Sequence, residues 1–246
     1  NSFIYIGVYT LSFFVSLLTT KGGLKVNKEL NLLQNIRTNG PESHFKKSDT
    51  PTMGGIFIII PFLIFLLILN LNLNSPRLFL LLLTIFGFFI TGFLDDYLSI
   101  KKKENTGLKS KDKFTLQSII AIIFIFLAFE KDFINPLITV SESWGINTNL
   151  FIIPISFLVL VGLSNSVNLS DGLDGLAVGC SAIVFYGLGT EILMKEQKEF
   201  IIFSILCYSM SGLCLGFLKF NSFPAKIFMG DTGSLSIGAT MGSIAI

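Results

Sequence analysis

Two adjacent carboxylates, Asp95 and Asp96, close an apolar run whose preceding 17 residues carry no charge. Neighbouring carboxylates at such a boundary repel each other and lose hydration, so they call for a cation: a divalent metal, a substrate-bound metal or a lysine. A solvated helix end is the plainer alternative for this pair. A second polar array, Asn165, Asn168, Asp171 and Asp174, repeats every three residues, with Gly172 and Gly175 interleaved. On a helix each step of three falls back by about 60°, so neighbours share a face while Asn165 and Asp174 do not. Such amides and carboxylates suit hydrogen bonds to ribose and base, or water-mediated metal binding. A calcium loop is excluded, because the spacing is three rather than two and no closing Glu follows. A third segment, Gly230-Asp231-Thr232-Gly233-Ser234, sets a potential metal ligand beside backbone N–H groups in what reads as a turn between spans.

Basic residues accompany these segments. Arg37, His44, Lys46 and Lys47 precede Thr50-Pro51-Thr52-Met53-Gly54-Gly55 and are suited to a diphosphate or an anionic lipid. Lys101, Lys102, Lys103, Lys109, Lys111 and Lys113 follow the Asp pair, and retention of positive charge on one side of a membrane explains most of them. His44 is the only histidine, which excludes a Ser/His/Asp triad or a histidine metal centre. Cys180, Cys207 and Cys214 lie in apolar stretches without ligand spacing and are expected to be small buried hydrophobes.

The elements that must position these groups are membrane spans. Only 14% of the residues are charged against 51% hydrophobic, with 26 Phe and a mean hydropathy of +0.73. A soluble domain carries about 25% charge. Seven stretches approach the roughly 20 apolar residues that a span needs: Phe3–Leu18, Gly55–Leu69, Leu78–Leu94, Phe114–Phe129, Leu150–Leu163, Leu176–Met194 and Phe200–Leu218. An eighth begins near Leu235 and is cut at Ile246. The expected fold is therefore all-α, a polytopic transmembrane bundle of seven complete spans and a truncated eighth. It forms one membrane-embedded domain over 1–246 that reads as truncated at both ends.

Loop parity sorts the chemistry. The odd loops (19–54, 95–113, 164–175 and 219–234) hold fourteen of the 18 basic residues, and the even loops hold four. Positive charge resists translocation, so the odd loops are expected to face the cytoplasm. Every motif-like segment falls in the same set.

Taken in order, these segments resemble the phospho-N-acetylmuramoyl-pentapeptide-transferases of bacterial cell-wall synthesis. The matching stretches are Gln34-Asn-Ile-Arg37, Gly40-Pro-Glu-Ser-His44, Thr50-Pro-Thr-Met-Gly-Gly55, Phe93-Leu-Asp-Asp-Tyr97, Asn165 through Ala177, and Phe228-Met-Gly-Asp-Thr-Gly-Ser234. The resemblance implies transfer of phospho-MurNAc-pentapeptide from UDP-MurNAc-pentapeptide to undecaprenyl phosphate, releasing UMP, with Mg²⁺ as cofactor. It implies a place in the bacterial cytoplasmic (inner) membrane with the site on the cytoplasmic side. The implied partners are the two substrates, the lipid bilayer and a second copy in a homodimer, and no nucleic acid polymer. It assigns Asp95, Asp96, Asp231 and Lys111 as catalytic, with Asp231 the Mg²⁺ ligand. Asn165, Asn168, Asp171, Asp174, Gly230, His44, Lys46 and Thr50 are the implied substrate-binding residues. This sequence departs from the family where a lysine is usual just after the Asp pair; Ser99 stands there, so that contact is absent or supplied by Lys101. The family's His-rich motif lies past Ile246.

Two other classes stay in view. A sister enzyme that transfers GlcNAc-1-phosphate shares double-Asp and Asn-rich segments, although the Thr50–Gly55 and Gly230–Ser234 versions favour the muramoyl branch. A transporter or lipid-binding scaffold would carry charge near the midplane, usually with an internal repeat. The sequence has neither.

Overall fold

The computed structural model describes residues 2–29, 50–102, 107–141, 144–195 and 200–246. Arg37, His44, Lys46 and Lys47 lie outside these. The helices, in chain order, are α1 (Ser2–Glu29), α2 (Ile56–Leu73), α3 (Pro76–Lys102), α4 (Ser110–Glu130), α5 (Ile152–Ser170), α6 (Leu176–Met194), α7 (Ile201–Asn221) and α8 (Gly230–Ala245). The first seven, α5 together with the 3₁₀ turn before it, are long and apolar enough to cross a membrane. The all-α expectation holds with one addition. Between α4 and α5 an antiparallel hairpin, β1 (Leu137–Ser141) and β2 (Trp144–Asn147), occupies an even loop in which no motif was legible.

Several helices outrun the apolar runs that announced them. α1 continues past Leu18 to Glu29, and its last turns are held by the buried Asn27, whose Nδ2 donates to the Thr52 carbonyl at 2.8 Å. α3 runs through the Asp pair to Lys102 instead of ending there. Within α2, Pro61 cannot donate to the Phe57 carbonyl four residues back. The hydroxyl of Thr19 on α1 lies 3.2 Å from that carbonyl, although its shorter bond is to the Val15 carbonyl of its own helix at 2.9 Å.

The short α8 is the centre of the bundle. All residues from Thr232 to Ser243 are buried. Its Gly, Ser, Ala and Thr side chains let α3 and α5 approach closely. A Cβ on Gly238 would lie 2.4 Å from the Leu163 carbonyl oxygen, so substitution would force the two backbones apart. α1 and α6 pack on α7, and α4 packs on α3 and α5. Large apolar side chains on the periphery, such as Ile122, Phe126 and Ile183, are exposed, as a lipid-facing surface requires. Cys180 is exposed on α6, whereas Cys207 and Cys214 are buried; burial was expected of all three.

Candidate active site

Consecutive helical residues point about 100° apart, and this separates the two carboxylates of α3. Asp95 faces α4: its Oδ1 accepts the Leu108 backbone N–H at 3.0 Å and lies 3.3 Å from the Lys113 Nζ. None of the described residues donates to its second oxygen. Asp96 faces α8 and accepts the backbone N–H groups of Asp231 (3.0 Å) and Thr232 (2.9 Å), together with the Thr232 hydroxyl. Helix N-terminal N–H groups lack intrahelical partners, so Asp96 caps α8 from a neighbouring helix. Gly230-Asp231-Thr232-Gly233-Ser234 is thus the first turn of α8 rather than a loop, and two of its N–H groups are already taken. Gly230 has φ +75°, and a Cβ on it would lie 2.6 Å from Asp96 Oδ2, so both backbone and space require glycine.

Asp231 sits where four helices meet. Its Oδ1 accepts the Asn168 Nδ2 at 2.7 Å, and its Oδ2 accepts the Lys113 ammonium. Asn168 also donates to Ser234 Oγ at 2.9 Å, tying the end of α5 to the start of α8. One turn deeper, Asn165 Nδ2 donates to Gln117 Oε1 at 2.7 Å. Gln117 is fully buried. Because Lys113 and Gln117 are four apart on α4 and Asn165 and Asn168 three apart on α5, these helices meet at two successive levels, directly through Gln117–Asn165 and by way of Asp231 through Lys113 and Asn168. Neither Lys113 nor Gln117 was singled out from sequence. An amide or lysine otherwise out of place on a span, four residues from another, was the available signal.

The resemblance assigned Lys111, but Lys111 is exposed. Two residues on a helix are about 200° apart, so only Lys113 can reach the carboxylates from this register. Lys101 is likewise exposed. Asp171 ends α5 beside the cluster. Burial first, then the charges of Asp231 and Asp96, push its carboxyl well above the usual carboxylate range, and the Gly230 backbone N–H pulls the other way. Asp174 accepts the Ala225 N–H on its Oδ2 at 3.1 Å, and its charge adds to the upward push on Asp171. Thr50 lies in the lining of a cavity with Lys21, Lys25 and Lys226.

Carboxylate oxygens of Asp95, Asp96 and Asp231 lie within 4.8 Å of one another. Asp171 lies beside these three acids, and among the described residues Lys113 is the cation that pairs with the group. This surplus of negative charge, presented as hard oxygen donors, fits a divalent cation such as Mg²⁺.

Comparison with known proteins agrees with this geometry. The glycosyl transferase family 4 model matches residues 78–246, and the phospho-N-acetylmuramoyl-pentapeptide-transferase signature 1 matches residues 47–59. A phospho-N-acetylmuramoyl-pentapeptide-transferase from Prochlorococcus marinus strain MIT 9312 is 80% identical over all of this chain and 69% of its own length. This chain belongs to the phospho-N-acetylmuramoyl-pentapeptide-transferase family. A distant member of that family, from Thermodesulfovibrio yellowstonii, is still 37% identical over 100% of the chain and 74% of its own length. Another, from Prochlorococcus marinus strain MIT 9515, is 61% identical over 100% and 68%. The family model begins at Leu78 and therefore takes in every residue of the carboxylate cluster.

Proposed function

We propose that this chain transfers phospho-MurNAc-pentapeptide from UDP-MurNAc-pentapeptide to undecaprenyl phosphate, giving a lipid-linked muramoyl pentapeptide and UMP. The observation that carries the reading is the Lys113 ammonium held between Asp95 and Asp231 amid surplus carboxylates. Such a site is unstable alone and complementary to a metal-bound diphosphate. The enzyme lies in the bacterial inner membrane with this site facing the cytoplasm. The excess of Lys and Arg in the loops on the same side supports that orientation.

Phosphoryl transfer depends on charge neutralisation and alignment more than on covalent help. Asp231 would hold Mg²⁺, which when bound would supply charge compensation to the diphosphate and the departing UMP. Lys113 offsets the remaining negative charge, and its two carboxylate partners fix its ammonium in place. Asn168 orients Asp231 through one oxygen. Asp96 positions Asp231 by fixing the first turn of α8. The acceptor phosphate has a second pKa of about 6 as a monoester, so at neutral pH most of it is dianionic and needs no strong base. Asp95 accepts the residual proton through its free oxygen and orients the phosphate for attack on the β-phosphorus. The P–O bond to UMP breaks as the new P–O bond to the lipid phosphate forms.

The test is incubation of the purified protein with Mg²⁺, polyprenyl phosphate and either UDP-MurNAc-pentapeptide or UDP-GlcNAc, with UMP release followed. Release with the muramoyl substrate alone is the expected result. Release only with UDP-GlcNAc would move the chain to the sister reaction, and release with neither would remove the enzymatic reading.

A further inference from the structure

On α1, Phe14, Leu18, Lys21 and Lys25 follow one another at intervals of four, three and four, which is one continuous helical stripe. Phe14 and Leu18 are 56% and 66% exposed and lie where acyl chains run. Lys21 and Lys25 continue the stripe toward the end of the bundle that holds the carboxylates. Lys226, from the segment joining α7 to α8, meets them across a cavity of about 490 Å³ bordered by Leu24 and Pro51. Among the described residues no carboxylate lines this cavity. Among the described residues none of the three lysines takes part in an ion pair. α1 packs chiefly on α7 and α2, not on α3 or α4, which carry the Asp pair and Lys113. None of Asp95, Asp96, Asp171 and Asp231 lines the cavity.

Ammonium groups brought together from two chain segments repel one another unless a multivalent anion lies between them. Lysine is a strong point-charge partner for phosphate. Charge alone would accept a soluble phosphate as readily as a lipid. The exposed Phe14–Leu18 stripe directly below the lysines gives the site an apolar half, which only an amphiphile uses. We propose that Lys21, Lys25 and Lys226 form the headgroup site of a phosphate-bearing anionic lipid, in the leaflet at the carboxylate end of the bundle. Its acyl chain lies along Phe14 and Leu18. A lipid held there bridges α1 to the segment that leads into α8.

Native mass spectrometry of the intact protein with phosphatidylglycerol or phosphatidylcholine tests this. The wild type is expected to retain phosphatidylglycerol preferentially. The triple variant Lys21→Gln/Lys25→Gln/Lys226→Gln is expected to hold it at least about tenfold more weakly, given the contribution of each lysine near an anionic headgroup. All three side chains are exposed, so the variant keeps its fold, checked by helical circular dichroism and monodispersity. A control variant, Lys101→Gln/Lys109→Gln/Lys111→Gln, changes the same net charge elsewhere and should retain the lipid. Equal loss in the control would reduce the effect to general surface charge and overturn the site. So would undiminished retention in the first variant. Displacement of the lipid by soluble glycerol phosphate at comparable concentration would overturn the lipid assignment, whereas failure to displace it supports the apolar half.

Discussion

Asp96 on α3 holds Thr232 on α8 by two bonds, accepting both its backbone N–H and its hydroxyl. The adjacent Asp231 N–H donates to the other oxygen of the same carboxylate. A carboxylate that reads from sequence as one half of a catalytic pair thus also caps a helix, and in doing so it fixes the position of Asp231. Asp96→Ala leaves two N–H groups of a buried helix start without partners, at roughly 1–3 kcal/mol each. Thermal unfolding in detergent should show a clearly lowered midpoint for Asp96→Ala and a much smaller change for Asp95→Ala. Equal midpoints in the two variants would remove the capping role.

Lys113 and Lys111 differ by two positions and almost opposite directions. Lys113→Gln leaves Asp95 and Asp231 without their ammonium, and turnover should fall at least about tenfold, the scale of a lost charge-assisted contact at a reacting phosphate. Lys111→Gln should stay within about twofold. Steady-state UMP release from both variants decides it, and a larger loss at Lys111 would contradict the register described above.

The Gln117–Asn165 rung steadies α4 against α5 beneath Lys113. Gln117→Leu should lower kcat by about fivefold, the worth of one buried hydrogen bond, with little change in KM for the nucleotide. In a double-mutant cycle with Asn165→Ala the two losses should overlap rather than add. Full additivity would show that the amides do not act as a pair.

The surplus carboxylates predict a requirement for a divalent cation. Chelation with EDTA should stop turnover, and added Mg²⁺ should restore it. Asp231→Asn should raise the Mg²⁺ concentration needed for half-maximal rate by at least about tenfold, because one of few charged ligands is lost. Undiminished turnover after exhaustive chelation would exclude a divalent ion from the reaction.

Gly230 carries both a positive φ and a close approach to Asp96. Gly230→Ala should displace the first turn of α8 and reduce activity as strongly as loss of the cap does, measured by turnover at fixed protein. A fully active Gly230→Ala enzyme would show that α8 tolerates a shift at its start.

The sequence by itself determined the number of spans and gathered the polar segments into one set of loops. Runs such as Leu78–Leu94 cannot be placed elsewhere than in lipid, and the distribution of Lys and Arg assigns the loops to sides. It also marked Asp95, Asp96, Asn165, Asn168 and Asp231 as polar groups needing partners. Hydropathy could not reveal that α8, only 16 residues long and rich in Gly and Ser, is the buried centre. Its burial comes from close packing against α3 and α5, which only the assembled bundle supplies. The tertiary structure alone divided the Asp pair, because roles set by directions 100° apart depend on which helix stands on each side. The same rotation made Lys113, not Lys111, the cation at the cluster. A spacing along the chain fixes neighbours within one helix, whereas the partners across helices follow from rotations and depths that the bundle decides.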